Sequence, residues 1–87
     1  MQVVMCEAYG GPQSLVVRSV DSPTPAAGEV KIRLHARGVS YTDVLRIAGK
    51  YHVKTTPPFI PGGEAAGEII ELGAEVTQFS LGDRVLC

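Results

Sequence analysis

The sequence is short of the features that several protein classes depend on. Its two cysteines, Cys6 and Cys87, stand at opposite ends with no C-x-x-C spacing. This argues against both a disulfide scaffold and a zinc knuckle, and both cysteines read as apolar fillers. The two histidines, His35 and His52, have neither helical nor turn spacing to each other or to a cysteine, so no metal site is expected. Eight Lys and Arg oppose nine Asp and Glu for a net charge of -1, which gives no global field favouring nucleic acid or an anionic membrane. No apolar run approaches the roughly 20 residues of a membrane span. The start, "MQVVMCEAYGG", has no basic region ahead of a long apolar one. A soluble, unprocessed, cytoplasmic protein is expected, with no nucleic-acid and no membrane partner. Internal repeats, low-complexity segments and a G-x-G-x-x-G fingerprint are also missing.

What remains is an ordinary globular composition. The 87 residues are 45% apolar and 20% charged, enough for one small domain spanning 1–87 whose core is marginal, since a chain of this size buries only about 60% of its unfolded surface. "QVVMCEAY" suits a pleated, half-buried surface and runs into Gly10-Gly11-Pro12, and "SLVVRSV" reads as its antiparallel partner. "DSPTPAAG" is a proline-stiffened loop. From Glu29 to Arg37, Val30, Ile32, Leu34 and Ala36 alternate with Lys31, Arg33, His35 and Arg37, predicting a strand with one core face and one solvated basic face.

In "GVSYTDVLRIAGKY", Ser40 opens a short helix. Its hydroxyl can cap the amide three residues on, Asp43 can reciprocate, and Gly49 ends the helix. Capping accounts for Asp43 better than acid catalysis does. "KYHVKTTPPFIP" reads as a loop. "AAGEIIEL" resumes as a strand in which Gly67 marks a bulge or a close backbone approach. "GAEV" turns the chain, "TQFS" reads as a short strand, and "LGDRVLC" as a Gly-Asp turn before a last apolar strand. Glu64 is expected to satisfy buried polar groups at a strand start. Short strands, one short helix and turns every eight to twelve residues predict a mainly β fold, a small partly open barrel. "RVLC" stops inside an apolar strand, which reads as a truncated chain.

The stretch "GVSYTDVLRIAGKY…PPFIPGGEAAGEIIELGAEVTQFSLGDRVL" resembles the N-terminal, GroES-like half of medium-chain dehydrogenase/reductases, in particular the zinc-free quinone oxidoreductase branch. The likeness runs from about Val3 to the end. The ordered set "G-V-x-x-x-D", "P-G-x-E-x-A-G", "G-x-x-V" and "G-D-R-V" carries it. Zinc-dependent members of the superfamily place cysteine at the position of Ser40 and histidine at that of Gly63. A serine is a poor zinc ligand and a glycine is none, so zinc is not expected. The resemblance makes Tyr51 of the Gly49-Lys50-Tyr51 triplet the catalytic and cofactor-contact candidate, and Ser40 a second cofactor contact. Tyr41 shapes the substrate pocket, where Leu45 replaces a tyrosine common in some quinone reductases.

The resemblance implies hydride transfer from NADPH to a quinone or an activated carbon–carbon double bond in a cytoplasmic parent enzyme that is a homodimer. In the family a Rossmann domain follows the barrel and supplies most of the cofactor affinity. Because residues 1–87 hold no such domain, the chain alone is expected to be inactive. Enoyl thioester reduction is the nearest alternative, and a stand-alone co-chaperonin-like binding barrel the alternative from another class.

Overall fold

The computed structural model describes residues 1–87 and holds five strands, one α-helix and a single 3-10 turn. They are β1 (Gln2–Met5), β2 (Val16–Ser19), β3 (Val30–Gly38), α1 (Tyr41–Ile47), β4 (Glu64–Leu72) and β5 (Arg84–Leu86), with the 3-10 turn at Pro12–Ser14. The chain divides into two units, Met1–Asp21 with Val39–Gly63, and Ser22–Gly38 with Glu64–Cys87. Hydrogen bonding gives a two-stranded sheet, β1-β2, and a three-stranded sheet, β3-β4-β5, with no closed barrel.

In the first unit β1 and β2 pair antiparallel, Val3 opposite Arg18 and Val4 opposite Val17. The first strand is shorter than its composition predicts. At Cys6 the backbone leaves β2 and exchanges hydrogen bonds of 2.8 and 3.0 Å with Phe59, and Ala8 and Tyr9 are bends. Tertiary pairing with the Phe59 loop overrides local strand propensity here. Cys6 is fully buried and Ile47 of α1 is 4% exposed, and the Gly10 amide donates to the Ile47 carbonyl at 2.9 Å. Cys6 therefore is the apolar filler expected, whereas Cys87 is exposed.

In the second unit β3, β4 and β5 form an antiparallel sheet around Ile69, which is 1% exposed. The β3–β4 register slips twice, leaving Ile70 of β4 and His35 of β3 without partners. These bulges explain why the strict alternation of β3 does not become two clean faces: from Arg33 to Arg37 every side chain is exposed, Leu34 included. Gly67 sits beside the second bulge, and a Cβ there would overlap the Arg33 carbonyl. Bulge and close approach thus occur together.

"TQFS" is not a strand. The Asp83 carboxylate accepts from the Ser80 amide at 2.9 Å, and the Asp83 amide donates back to the Ser80 carbonyl at 3.1 Å. This box, with Gly82 at φ +89, turns the backbone before a ladder can start. Glu64 does not satisfy buried groups: it is exposed, and its side chain lies over Gly38, where a Cβ would collide with it. No helix is long and apolar enough to cross a membrane.

Candidate functional site

Ser40, Tyr41, Leu45 and Tyr51 all belong to the first unit, and α1 positions them. Ser40 is the N-cap, with extended backbone at φ -131 and ψ 170. The Asp43 carboxylate accepts from the Ser40 amide at 3.0 Å, which satisfies one of the free donors of the first turn. The Asp43 amide donates to the Ser40 carbonyl at 3.1 Å, and the Ser40 hydroxyl pairs with that of Thr42 at 2.7 Å. The reciprocal capping box expected between Ser40 and Asp43 is present, and the serine side chain is exposed.

Tyr41 and Leu45 are four residues apart and stand one above the other on a helix face. Tyr41 is 73% exposed and Leu45 half-buried. Val44 is exposed as well, so Ile47 alone of the helix is fully buried.

The helix ends where Gly49 takes φ +71, a conformation only glycine reaches without strain. The Lys50 amide reaches back to the Leu45 carbonyl at 2.9 Å and the Gly49 amide to Arg46 at 3.1 Å. The Tyr9 ring packs against the bare face of Gly49, near enough that an added Cβ would lie 3.0 Å from it, and the Tyr9 hydroxyl donates to the Thr55 carbonyl at 2.7 Å. The Lys54 ammonium donates to the Gly49 carbonyl.

This turn presents Tyr51, half-buried, between two basic side chains. The Arg46 guanidinium carbon lies 5.1 Å from the centroid of its ring, within cation–π range, and the His52 ring lies 4.3 Å away at 45°. Ser40 precedes α1, and Tyr51 follows the turn beyond its other end, where the ring lies back against Arg46 of the helix. Two polar atoms of the helix, Asp43 Oδ1 and Arg46 Nε, are buried without a hydrogen-bond partner.

No group of three His, Cys, Asp or Glu side chains comes together in the chain. His35 lies on β3 and His52 against Tyr51. Sequence reasoning missed Arg46, Tyr9 and Lys54 as supports of Tyr51. The R-x-x-G-x-Y spacing contained a hint of Arg46, but nothing local ties Tyr9 to residue 49.

Residues 26–87 match the model of the alcohol dehydrogenase GroES-like domain. The chain is 44% identical over 85 residues to an alcohol dehydrogenase of Moraxella sp. (strain TAE123), covering 98% of this chain and 25% of that protein. It is 40% identical over 86 residues to the quinone oxidoreductase-like protein 2 homolog of Nematostella vectensis, covering 98% and 23%. With the acryloyl-coenzyme A reductase of Metallosphaera sedula it shares 42% over 77 residues, covering 88% and 23%. Among solved structures, the human synaptic vesicle membrane protein VAT-1 homolog-like protein superposes with a TM-score of 0.93 at 32% identity, over 99% of this chain and 28% of that one. A mycobacterial protein solved in complex with NADPH gives 0.89 at 32%, over 99% and 27%. The chain thus spans about a quarter of the length of these relatives. It belongs to the alcohol dehydrogenase GroES-like domain family of the medium-chain dehydrogenase/reductases.

Proposed function

We propose that residues 1–87 are the GroES-like catalytic-domain part of a zinc-independent, NADPH-dependent oxidoreductase that reduces a quinone or an activated carbon–carbon double bond. The observation that carries this reading is the Tyr51 turn. A half-buried Tyr51 ring lies against Arg46, beyond a turn in which Lys54 donates to the Gly49 carbonyl, and the Ser40 side chain is exposed at the other end of the helix. The relatives named for quinone and acryloyl-coenzyme A reduction, and the NADPH complex of a structural neighbour, support it. They favour it over a stand-alone co-chaperonin-like barrel.

Reduced nicotinamide supplies a hydride when bound; the chain contributes position and hydrogen bonds. Tyr51 is placed to donate a hydrogen bond to a carbonyl oxygen as negative charge builds on it, or to deliver a proton there. The exposed Ser40 hydroxyl turns from its Thr42 partner to hold a carboxamide or a substrate oxygen. Tyr41 and Leu45 form one wall of the substrate pocket. Ser40 and Gly63 stand where zinc-dependent members carry ligands, and neither supplies a first-rate donor for zinc. Most of the cofactor affinity is assigned to a Rossmann domain outside residues 1–87, and the whole enzyme to a cytoplasmic homodimer.

A second reading, reduction of an enoyl thioester, is favoured by the acryloyl-coenzyme A reductase likeness. Both use the same phenol, toward a quinone carbonyl oxygen in one and a thioester carbonyl oxygen in the other. The test is steady-state reduction of a naphthoquinone and of an enoyl thioester by the full-length protein after exhaustive chelation. Turnover with NADPH that survives chelation is expected. Turnover that is lost and returns with zinc would refute zinc independence.

A further inference from the structure

Two ion pairs form in the chain, and one run of unpaired cations has no carboxylate within it. Arg18 is paired with Glu7 at 2.7 Å. On β3, Lys31 lies 4.0 Å from Glu71 and Arg33 stands opposite Glu68 in the ladder, while Arg37 stands opposite Ala65 and forms no ion pair. Residues 44–63 differ. They contain Arg46, Lys50 and Lys54 and no Asp or Glu, while the rest of the chain carries five cations against nine carboxylates. None of the three forms an ion pair. The nearest carboxylate in sequence, Asp43, is turned to the helix start, one oxygen on the Ser40 amide and the other buried.

These cations gather at one place. Arg46 lies over the Tyr51 ring, Lys54 holds the Gly49 carbonyl, and Lys50 is the exposed residue between, with the His52 ring tilted against Tyr51. Three like charges within nine residues gain nothing from one another, since close like charges repel. Their field is left open to a ligand. A guanidinium and ammonium groups at the mouth of a site raise the local concentration of anions and speed their arrival.

We propose that the segment Arg46–Lys54 receives an anionic group, a phosphate ester or carboxylate, carried by the substrate that is reduced at Tyr51. The inference rests on Tyr51 being the contact to the reacting carbonyl. Phosphate is also present on the reduced dinucleotide, so the two sources have to be separated.

The experiment uses the full-length protein with NADPH and two electron acceptors, a neutral naphthoquinone and its sulfonated counterpart, in the wild type, Lys50→Glu and Lys54→Gln. The ratio of kcat/KM for the sulfonated to the neutral quinone is expected to fall about ten-fold in Lys50→Glu and less in Lys54→Gln. The difference should shrink as ionic strength rises from roughly 20 to 500 mM. A ratio unchanged by either substitution, with the neutral quinone still reduced, would overturn the inference and leave the oxidoreductase reading standing. A change confined to the KM for NADPH would also overturn it, by giving the site to the cofactor. Reduction of neither quinone by the wild type would sink the reading on which the inference rests, and the inference with it.

Discussion

Tyr51 owes its position to residues that take no part in the proposed chemistry. Gly49 supplies the left-handed turn, Tyr9 fills the space where a Cβ would be, and Arg46 covers the ring. Gly49→Ala forces a strained backbone against an aromatic ring, and should cost about 1–2 kcal/mol. In the full-length protein it should lower kcat more than it raises the KM for NADPH, because the phenol moves while the cofactor's main contacts stay. Equal changes in both would place Tyr51 outside the reaction. Gly67 has a stricter demand, since a Cβ would meet the Arg33 carbonyl, a backbone atom that cannot swing aside. Gly67→Ala is expected to destabilise by roughly 1–3 kcal/mol, read as a lower denaturant midpoint with an unchanged slope.

At the scale of the element, α1 is a seven-residue helix and too short to be stable on its own. Its first turn depends on the Asp43 carboxylate at the Ser40 amide, and removing that bond by Asp43→Ala should cost about 1 kcal/mol. The loss is moderated because Asp43 Oδ1 is buried without a partner and its burial cost disappears too. Thermal unfolding of the variant against wild type gives the number, and a gain in stability would show that the orphan oxygen outweighs the cap.

How legible these elements were depends on the range of the interactions that make them. The helix from Ser40 to Gly49 was readable because its cap, dipole charge and stop lie within ten residues. The sheet strands Val30–Gly38 and Glu64–Leu72 were readable from alternation and β-branched content. The early end of β1 was not, because Cys6 is claimed by Phe59, far along the chain. The loss of "TQFS" as a strand follows from the Ser80–Asp83 box, a side-chain competition that propensity does not weigh. For the site, the residues themselves were legible only through family likeness. Arg46 and Tyr9, which fix the phenol, became visible once the turn was built.

Over the whole molecule, only Cys6, Ile47 and Ile69 are fully buried hydrophobics, while Val39, Tyr41, Leu81 and Leu86 are among the exposed ones. A core this thin is expected of 87 residues, since a chain of this size buries only about 60% of its unfolded surface. Residues 1–87 also contain no G-x-G-x-x-G, so by themselves they should bind NADPH more weakly than about 1 mM by calorimetry. Tight, saturable binding would move the cofactor site into this part of the protein.

The central claim is that the Tyr51 hydroxyl meets the reacting carbonyl, and Tyr51→Phe in the full-length protein tests it most directly because the ring and its Arg46 contact are kept. The account predicts a fall in kcat of about 10- to 100-fold, with the KM for NADPH changed by no more than about two-fold. An unchanged kcat would contradict it and leave Tyr51 as a loop aromatic that packs beneath Arg46.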